Sequence, residues 1–380
     1  VAGVGRVPRR LTVLLPVVGL LVLAACGLVL LVLSTARVGL VAELVGVGAA
    51  LVPVGPVVAA FLWVDRWEPE PARLLWSAFG WGACVATVTA LLINNTAEAV
   101  GDLLLGAGNG DTVSAVVSAP LVEEAVKGAF VVGIFLFLRE EFDGVVDGIV
   151  YAGFVAAGFA FTENIYYFGR AFAEHGFGDS TSPGVVAAFI LRGVLSPFTH
   201  PLFTAAIGIG VGVAARSSSR RVKVAAPLGG YLVAVSLHAL WNGSATLGDA
   251  TTFLSVYFLV MVPLFGILVA FVNWHRKRER RIVAGELAAM AEARWIVASE
   301  VDLLGSLGKR RAWRRKVRAA SGRAAADALG DYQAAVSELA FLRHAIAQGT
   351  AGSGAGERER RLIDAVRETR ARAAAAAGPR

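Results

Sequence analysis

Long apolar runs, each about 20 residues or more and so able to cross a hydrocarbon core of roughly 30 Å, alternate with short clusters of charge over the first 274 residues of this chain. In that medium every backbone N–H and C=O must be satisfied within the segment, so such runs become helices. The composition agrees, with 56% hydrophobic and 17% charged residues, against about 25% charged in a soluble domain. A soluble globule, a disordered chain and a collagen-like fibre are thereby excluded. The two cysteines, Cys26 and Cys84, both lie inside apolar runs, which rules out a disulfide scaffold. The fold class is all-α: a polytopic membrane protein.

Eight transmembrane helices are expected, approximately over residues 11–33, 39–64, 72–93, 112–138, 145–168, 185–215, 224–246 and 252–274. The first follows Arg9 and Arg10 as a signal peptide would, but its apolar run is too long and no small-x-small site closes it. The sixth is too long for one upright helix and must tilt, kink or begin outside the core. With a cytoplasmic N-terminus, the inner loops hold Arg6, Arg9, Arg10, Arg66, Arg73, Arg139, Arg216, Arg220, Arg221 and Lys223. The inner tail adds Arg276, Lys277, Arg278, Arg280 and Arg281, while the outer loops, with Asn94–Asp111 and Thr246–Thr252 among them, hold only Arg37 and Arg170. Fifteen cations against two follow the positive-inside rule and require an even number of spans. Both termini are then cytoplasmic.

Two regions result: a transmembrane domain over residues 1–274, with its motif helices at about 112–246, and a cytoplasmic, mostly helical tail over 275–380, rich in Ala, Arg and Glu. The tail contains a basic cluster, Arg310, Arg311, Arg314, Arg315 and Lys316, and a flexible Gly-rich linker over 349–356. The cluster suits a solvated helix beside anionic lipid. No nucleic-acid motif accompanies the charge, so no nucleic-acid partner is expected.

An ionisable side chain in hydrocarbon costs at least about 2.5–3.5 kcal/mol. Four consecutive spans nevertheless carry polar groups at depth: Glu123, Glu124 and Lys127 on the fourth, Glu163 and Asn164 on the fifth, Arg192 and His200 on the sixth, His238 and Asn242 on the seventh. The first three spans carry almost none. This segregation points to one shared polar cavity. Glu123 and Lys127 stand at i and i+4 on one helical face, as do His238 and Asn242. Paired carboxylates beside one cation supply a charged anchor and a proton acceptor, and an imidazole with an amide can donate to a developing oxyanion. Arg192 reads as the structural partner of an acidic neighbour. Pro197 and Pro201 bracket His200 and should free backbone carbonyls. Gly208 and Gly212, spaced as GxxxG, read as a close helix contact.

At these residues the chain resembles the PrsW intramembrane proteases, which are related to the CAAX prenyl protease and bacteriocin-processing (CPBP) group. The motifs are Glu-Glu-x-x-Lys, Phe-x-x-x-Glu-Asn, an isolated His and His-x-x-x-Asn on successive spans, and the resemblance covers roughly Leu51–Asn273. It implies that Glu123 and Glu124 activate water and that Glu163 takes the place of a histidine in the prenyl-protease relatives. His238 and Asn242 would cradle the scissile carbonyl, with His200 the additional histidine of the PrsW branch. Lys127 stands where the relatives more often have an Arg one position further on.

The expected reaction is peptide-bond hydrolysis of a membrane-anchored protein or peptide in a bacterial cell membrane, with catalytic residues Glu123, Glu124, Glu163, His200, His238 and Asn242. By resemblance the substrate could be a regulator such as an anti-sigma factor. Neither Ser nor Cys stands beside a base, so covalent catalysis is not expected. Zinc is a candidate cofactor, with Glu163, His200 and His238 as a three-ligand set. No His-Glu-x-x-His is present, so a glutamate-only mechanism stays open beside it. The alternative class is a transporter or channel using the same charges as an ion path, although no inverted repeat is apparent. The charge asymmetry makes a testable statement about sidedness. A fluorescent protein fused after Arg380 should fluoresce and alkaline phosphatase at the same point should be inactive; the reverse result overturns the orientation.

Overall fold

The computed structural model describes residues 9–67, 69–142, 144–179, 182–351 and 354–377; Arg6 of the N-terminal basic group lies outside them. Among the described residues the regular structure is entirely helical. The chain divides into two compact units, one of Val1–Phe61 with Pro71–Leu268 and one of Leu62–Glu70 with Val269–Arg380.

The first unit is built from α1 (Arg9–Val38), α2 (Leu40–Val64), α3 (Ala72–Leu105), α4 (110–137), α5 (Val145–His175), α6 (185–195), α7 (Thr199–Arg216), α8 (Arg220–Thr246) and the start of α9 (Ala250–Glu292). Seven stretches among the described residues are long and apolar enough to cross a membrane: Val18–Val38, α2, α3, α5, Val185–Arg216, α8 and α9. The expected eighth, α4, is long enough but interrupted by Glu123, Glu124 and Lys127, all buried. Its charges are therefore covered by protein, which an apolarity criterion does not register.

Two local departures matter for the site. Helix α3 continues to Leu105, so Asn94 and Asn95 are helical rather than part of an outer loop; the Asn94 side chain is satisfied by the Ser118 hydroxyl at 2.7 Å. The long sixth segment breaks at Ser196–Phe198, where Ser196 leaves helical geometry at φ −125°. Pro197 explains the break, because a residue before proline is pushed out of the α region. The chain restarts at Thr199, which puts His200 and Pro201 in the first turn of α7. A missing N–H is not needed there, so Pro201 frees no carbonyl, contrary to the sequence expectation.

Helix α7 packs between α5 and α8 through missing side chains. A Cβ on Gly208 would lie 2.2 Å from the Gly148 carbonyl oxygen, and one on Gly212 would lie 2.4 Å from the Val145 Cα. On the α8 side, a Cβ on Gly210 would sit 2.3 Å from the Ala226 oxygen, and one on Gly230 would sit 2.3 Å from the Ala206 oxygen. In lipid, where apolar surface gains little by leaving the solvent, such backbone approach is what holds helices together. The GxxxG expectation is met, and α7 uses it on two faces.

The second unit has its own core, in which Trp67, Leu287, Met290, Leu329, Tyr332 and Val336 are buried together. Helix α10 (Leu307–Ala347) folds back on itself at Gly322, whose φ of +87° only glycine adopts readily, and α11 (Ala355–Ala377) follows. Buried Arg310 ties the fold-back together, donating to the Leu304 and Gln333 carbonyls at 2.7 and 3.1 Å and to the Ser337 hydroxyl at 2.7 Å.

The packing predicts opposite signs for two glycine substitutions. Gly208→Leu should lower the melting temperature in detergent by the equivalent of about 1–3 kcal/mol or more. Gly229→Ala, with nothing within 4 Å of the new Cβ, should be neutral or stabilising by up to about 1 kcal/mol.

Candidate active site

The carboxylates of α4 set the geometry. Lys127 is fully buried, and its ammonium donates to Glu124 Oε1 at 2.9 Å and to Glu123 Oε2 at 3.3 Å. It also lies 3.1 Å from His200 Nδ1 and 3.9 Å from the centre of the Phe159 ring. Because an ammonium has only protons to offer, His200 Nδ1 accepts. The proton of that ring is then on Nε2, which stands 2.8 Å from Glu163 Oε2.

Glu124 has every oxygen engaged. Oε1 takes Lys127 and His238 Nδ1, the latter at 3.1 Å, and Oε2 accepts from the Thr204 hydroxyl at 2.9 Å. The Glu124 carboxylate facing His238 Nδ1 places a proton on that nitrogen, and Nε2 stands 3.9 Å from Glu123 Oε2. Glu123 is the less satisfied carboxylate: its Oε1 has only a long 3.4 Å contact from the Asn94 amide.

Behind His200, Glu163 is held by Arg192, whose Nε also donates to Asn164 Oδ1 at 2.8 Å. The structural partner expected for Arg192 is therefore Glu163, reached across two helices. Glu163, the carboxylate of the anticipated ligand set, is occupied by Arg192 and His200. The carboxylate grouped with both imidazoles is Glu123: ligand atoms of Glu123, His200 and His238 all lie within 4.8 Å of one another.

Asn242 has a backbone partner, donating to the Ala115 carbonyl at 2.9 Å. Residues 114–118 form one wide turn, in which the Ala119 N–H reaches back five residues to Ser114. The next donor in that register would be the N–H of residue 120, which is proline. Ala115 is thus left without a backbone partner, and the Asn242 amide fills the gap. One of its two amide hydrogens is committed to this task.

Asn94, Ser118 and Thr204 were missed by sequence reasoning. Thr204 had a signal, since it follows His200 by four residues and shares its face. Asn94 had none, because only tertiary packing brings the end of α3 to α4.

Residues 70–268, just over half of the chain, match the PrsW family, described as PrsW family intramembrane metalloprotease. The chain belongs to that family. It is 31% identical over 175 residues to the Protease PrsW of Geobacillus kaustophilus (strain HTA426), a match covering 46% of this chain and 69% of the relative. It is 28% identical over 152 residues to that of Bacillus subtilis (strain 168), covering 40% of this chain and 66% of the relative. With the Protease PrsW of Clostridioides difficile (strain 630) it shares 31% identity over 166 residues, 42% of this chain and 62% of the relative. The match thus spans about two thirds of the length of these relatives. No solved structure matches the chain. As a member of the PrsW family the chain is an intramembrane peptidase, and residues 269–380 lie beyond the matched segment.

Removing one partner of a buried ion pair typically costs about 3–5 kcal/mol, because the other charge is left uncompensated. Lys127→Met should therefore sharply lower the melting temperature of this PrsW protein, and adding Glu124→Gln should recover part of the loss. An additive double variant would show that the two charges do not interact.

Proposed function

We propose that the chain hydrolyses peptide bonds of membrane-anchored protein substrates at this buried cluster, with Glu123 facing the reacting water. The observation that carries the reading is the pairing of each imidazole with its own carboxylate. His238 is held by Glu124 through Nδ1 and His200 by Glu163 through Nε2, and the remaining nitrogens face Glu123 and Lys127. Metal-ligating histidines are oriented by carboxylates in this way. The donor set therefore fits a divalent cation, held by Glu123, His200 and His238, and zinc suits its mixed N and O chemistry. Such an ion supplies Lewis acidity that polarises a carbonyl and lowers the pKa of water. His200 Nδ1 would be open to such an ion with Lys127 held by Glu124 alone.

The chain's own residues account for the rest. The Glu123 oxygen that would not hold the ion takes a proton from water as the water oxygen bonds to the scissile carbonyl carbon, and returns that proton to the amine as the C–N bond breaks. Glu124, fully engaged, keeps His238 in the Nδ1–H tautomer. Arg192 holds Glu163 and through it the orientation of His200. The second amide hydrogen of Asn242 is the donor left for the oxyanion, and a single donor of this kind is typically worth about 2.7–4 kcal/mol. Aromatic rings cover the imidazoles: Phe203 stacks on His238 at 5.2 Å between centroids, and Phe159 packs on His200 at 5.4 Å. A membrane-anchored regulator of the anti-sigma type is the substrate class that family resemblance favours, and a cytoplasmic tail follows from the charge asymmetry.

With a single-pass membrane substrate in liposomes, Glu123→Gln should lower the cleavage rate by about 10²–10⁴-fold without lowering the melting temperature. Unchanged cleavage would overturn the assignment of Glu123. Elemental analysis should find stoichiometric zinc in the wild type and a loss of it in His238→Ala. Full activity after exhaustive chelation would remove the metal from the reading and leave the glutamate.

A further inference from the structure

The second unit holds a charge arrangement that peptide hydrolysis does not use. Arg311, Arg314, Arg315 and Arg318 recur at i, i+3, i+4 and i+7, so they form one stripe on the first arm of α10. The reversal at Gly322 brings the second arm of the same helix opposite that stripe, and between the arms lies an open concavity of about 850 Å³. Gly308 and Gly330 lie in its walls, and the Arg314 side chain of the first arm reaches across to Gly330, its Nη1 3.6 Å from where a Cβ would stand. Buried Arg310 fixes the spacing of the arms through its two hydrogen bonds to Gln333 and Ser337.

Among the described residues, none of the four arginines has a carboxylate within ion-pair distance. The two acids of the opposite wall are Asp327 and Asp331, and Asp327 is turned to Arg323 at 3.7 Å. Like charges at i and i+4 destabilise a helix, so this stripe is costly to the isolated protein and favourable to whatever anion enters. A volume of this size lies within the range of small-ligand sites, about 300–1,000 Å³. Guanidinium groups favour oxyanions that accept two parallel hydrogen bonds, phosphate above all. The two aspartates repel an extended polyanion lying across both arms, so the groove selects a compact ligand.

We propose that this groove binds a compact, multiply charged phosphate group, carried either by a lipid headgroup or by a free polyphosphate. The full chain is reconstituted in phosphatidylcholine nanodiscs and titrated with inorganic pyrophosphate. A parallel sample is reconstituted in phosphatidylcholine mixed with cardiolipin. Amide hydrogen exchange over residues 307–331 should slow in at least one arm. Slowing with pyrophosphate identifies a free polyphosphate as a source, slowing with cardiolipin a headgroup, and either result supports the site. Arg314→Gln with Arg318→Gln should weaken the effective ligand by about tenfold or more. Arg360→Gln with Arg361→Gln, which removes the same charge from α11, should leave binding unchanged. Failure of both probes, or equal weakening by the two double variants, overturns the proposal.

Discussion

A fully buried ammonium between two buried carboxylates is the interaction on which the membrane unit depends. Lys127 has no exposed surface, and neither has Glu124. In such surroundings an isolated charge is expelled or neutralised, whereas a network with every hydrogen bond satisfied is tolerated. The network extends outward in steps: Thr204 and His238 complete Glu124, His200 meets both Lys127 and Glu163, and Arg192 closes the far end. Helices α4, α5, α6, α7 and α8 each supply at least one member, so the polar network selects one arrangement of five otherwise apolar rods.

Irregular backbone does the positioning. The wide turn before Pro120 exposes a carbonyl that recruits Asn242, which aligns α8 with α4. The break at Pro197 lets the chain restart at Thr199, and it brings His200 to the N-terminal turn of α7 beside Lys127. Close glycine contacts on both faces of α7 then hold His200 and Thr204 near carboxylates contributed by another helix. Sub-ångström placement of polar groups in lipid requires such rigidity, since a half-satisfied network is worse than none.

Much of this was legible in the sequence because it depends on local spacing. Apolar runs gave the helices, the i, i+4 relations gave the faces carrying Glu123 with Lys127 and His238 with Asn242, and segregation of charge pointed to the helices that share the buried polar cluster. The GxxxG pair and the structural pairing of Arg192 could be read in the same way. What spacing cannot supply is which helix faces which at a given depth. Spacing pointed to Glu163 as the third partner of the two histidines; the packed helices show Arg192 already on Glu163 and Glu123 grouped with both imidazoles. Asn94 ends an apolar run and looks like loop until Ser118 is seen beside it. Trp67 lies in a short polar connection between two spans, yet it is buried in the core of the unit containing the tail, a contact across more than two hundred positions that no local pattern encodes.

The charge balance of the buried cluster bears on the proposed cation. Among the permanently charged groups, Glu123, Glu124 and Glu163 are three carboxylates and Lys127 and Arg192 two cations. The surplus is one negative charge, and geometry locates it: Glu124 and Glu163 each have direct cationic partners at short range, whereas Glu123 has the longest contacts of the three. A buried surplus charge is expensive in a low-dielectric interior. Its carboxylate therefore has an electrostatic reason to acquire a positive partner that the protein does not itself provide. In the proposed reading, the same surplus makes Glu123, rather than the better-satisfied Glu124, the carboxylate that acts on water. Affinity for a cation and readiness to accept a proton are two consequences of one incompletely neutralised group.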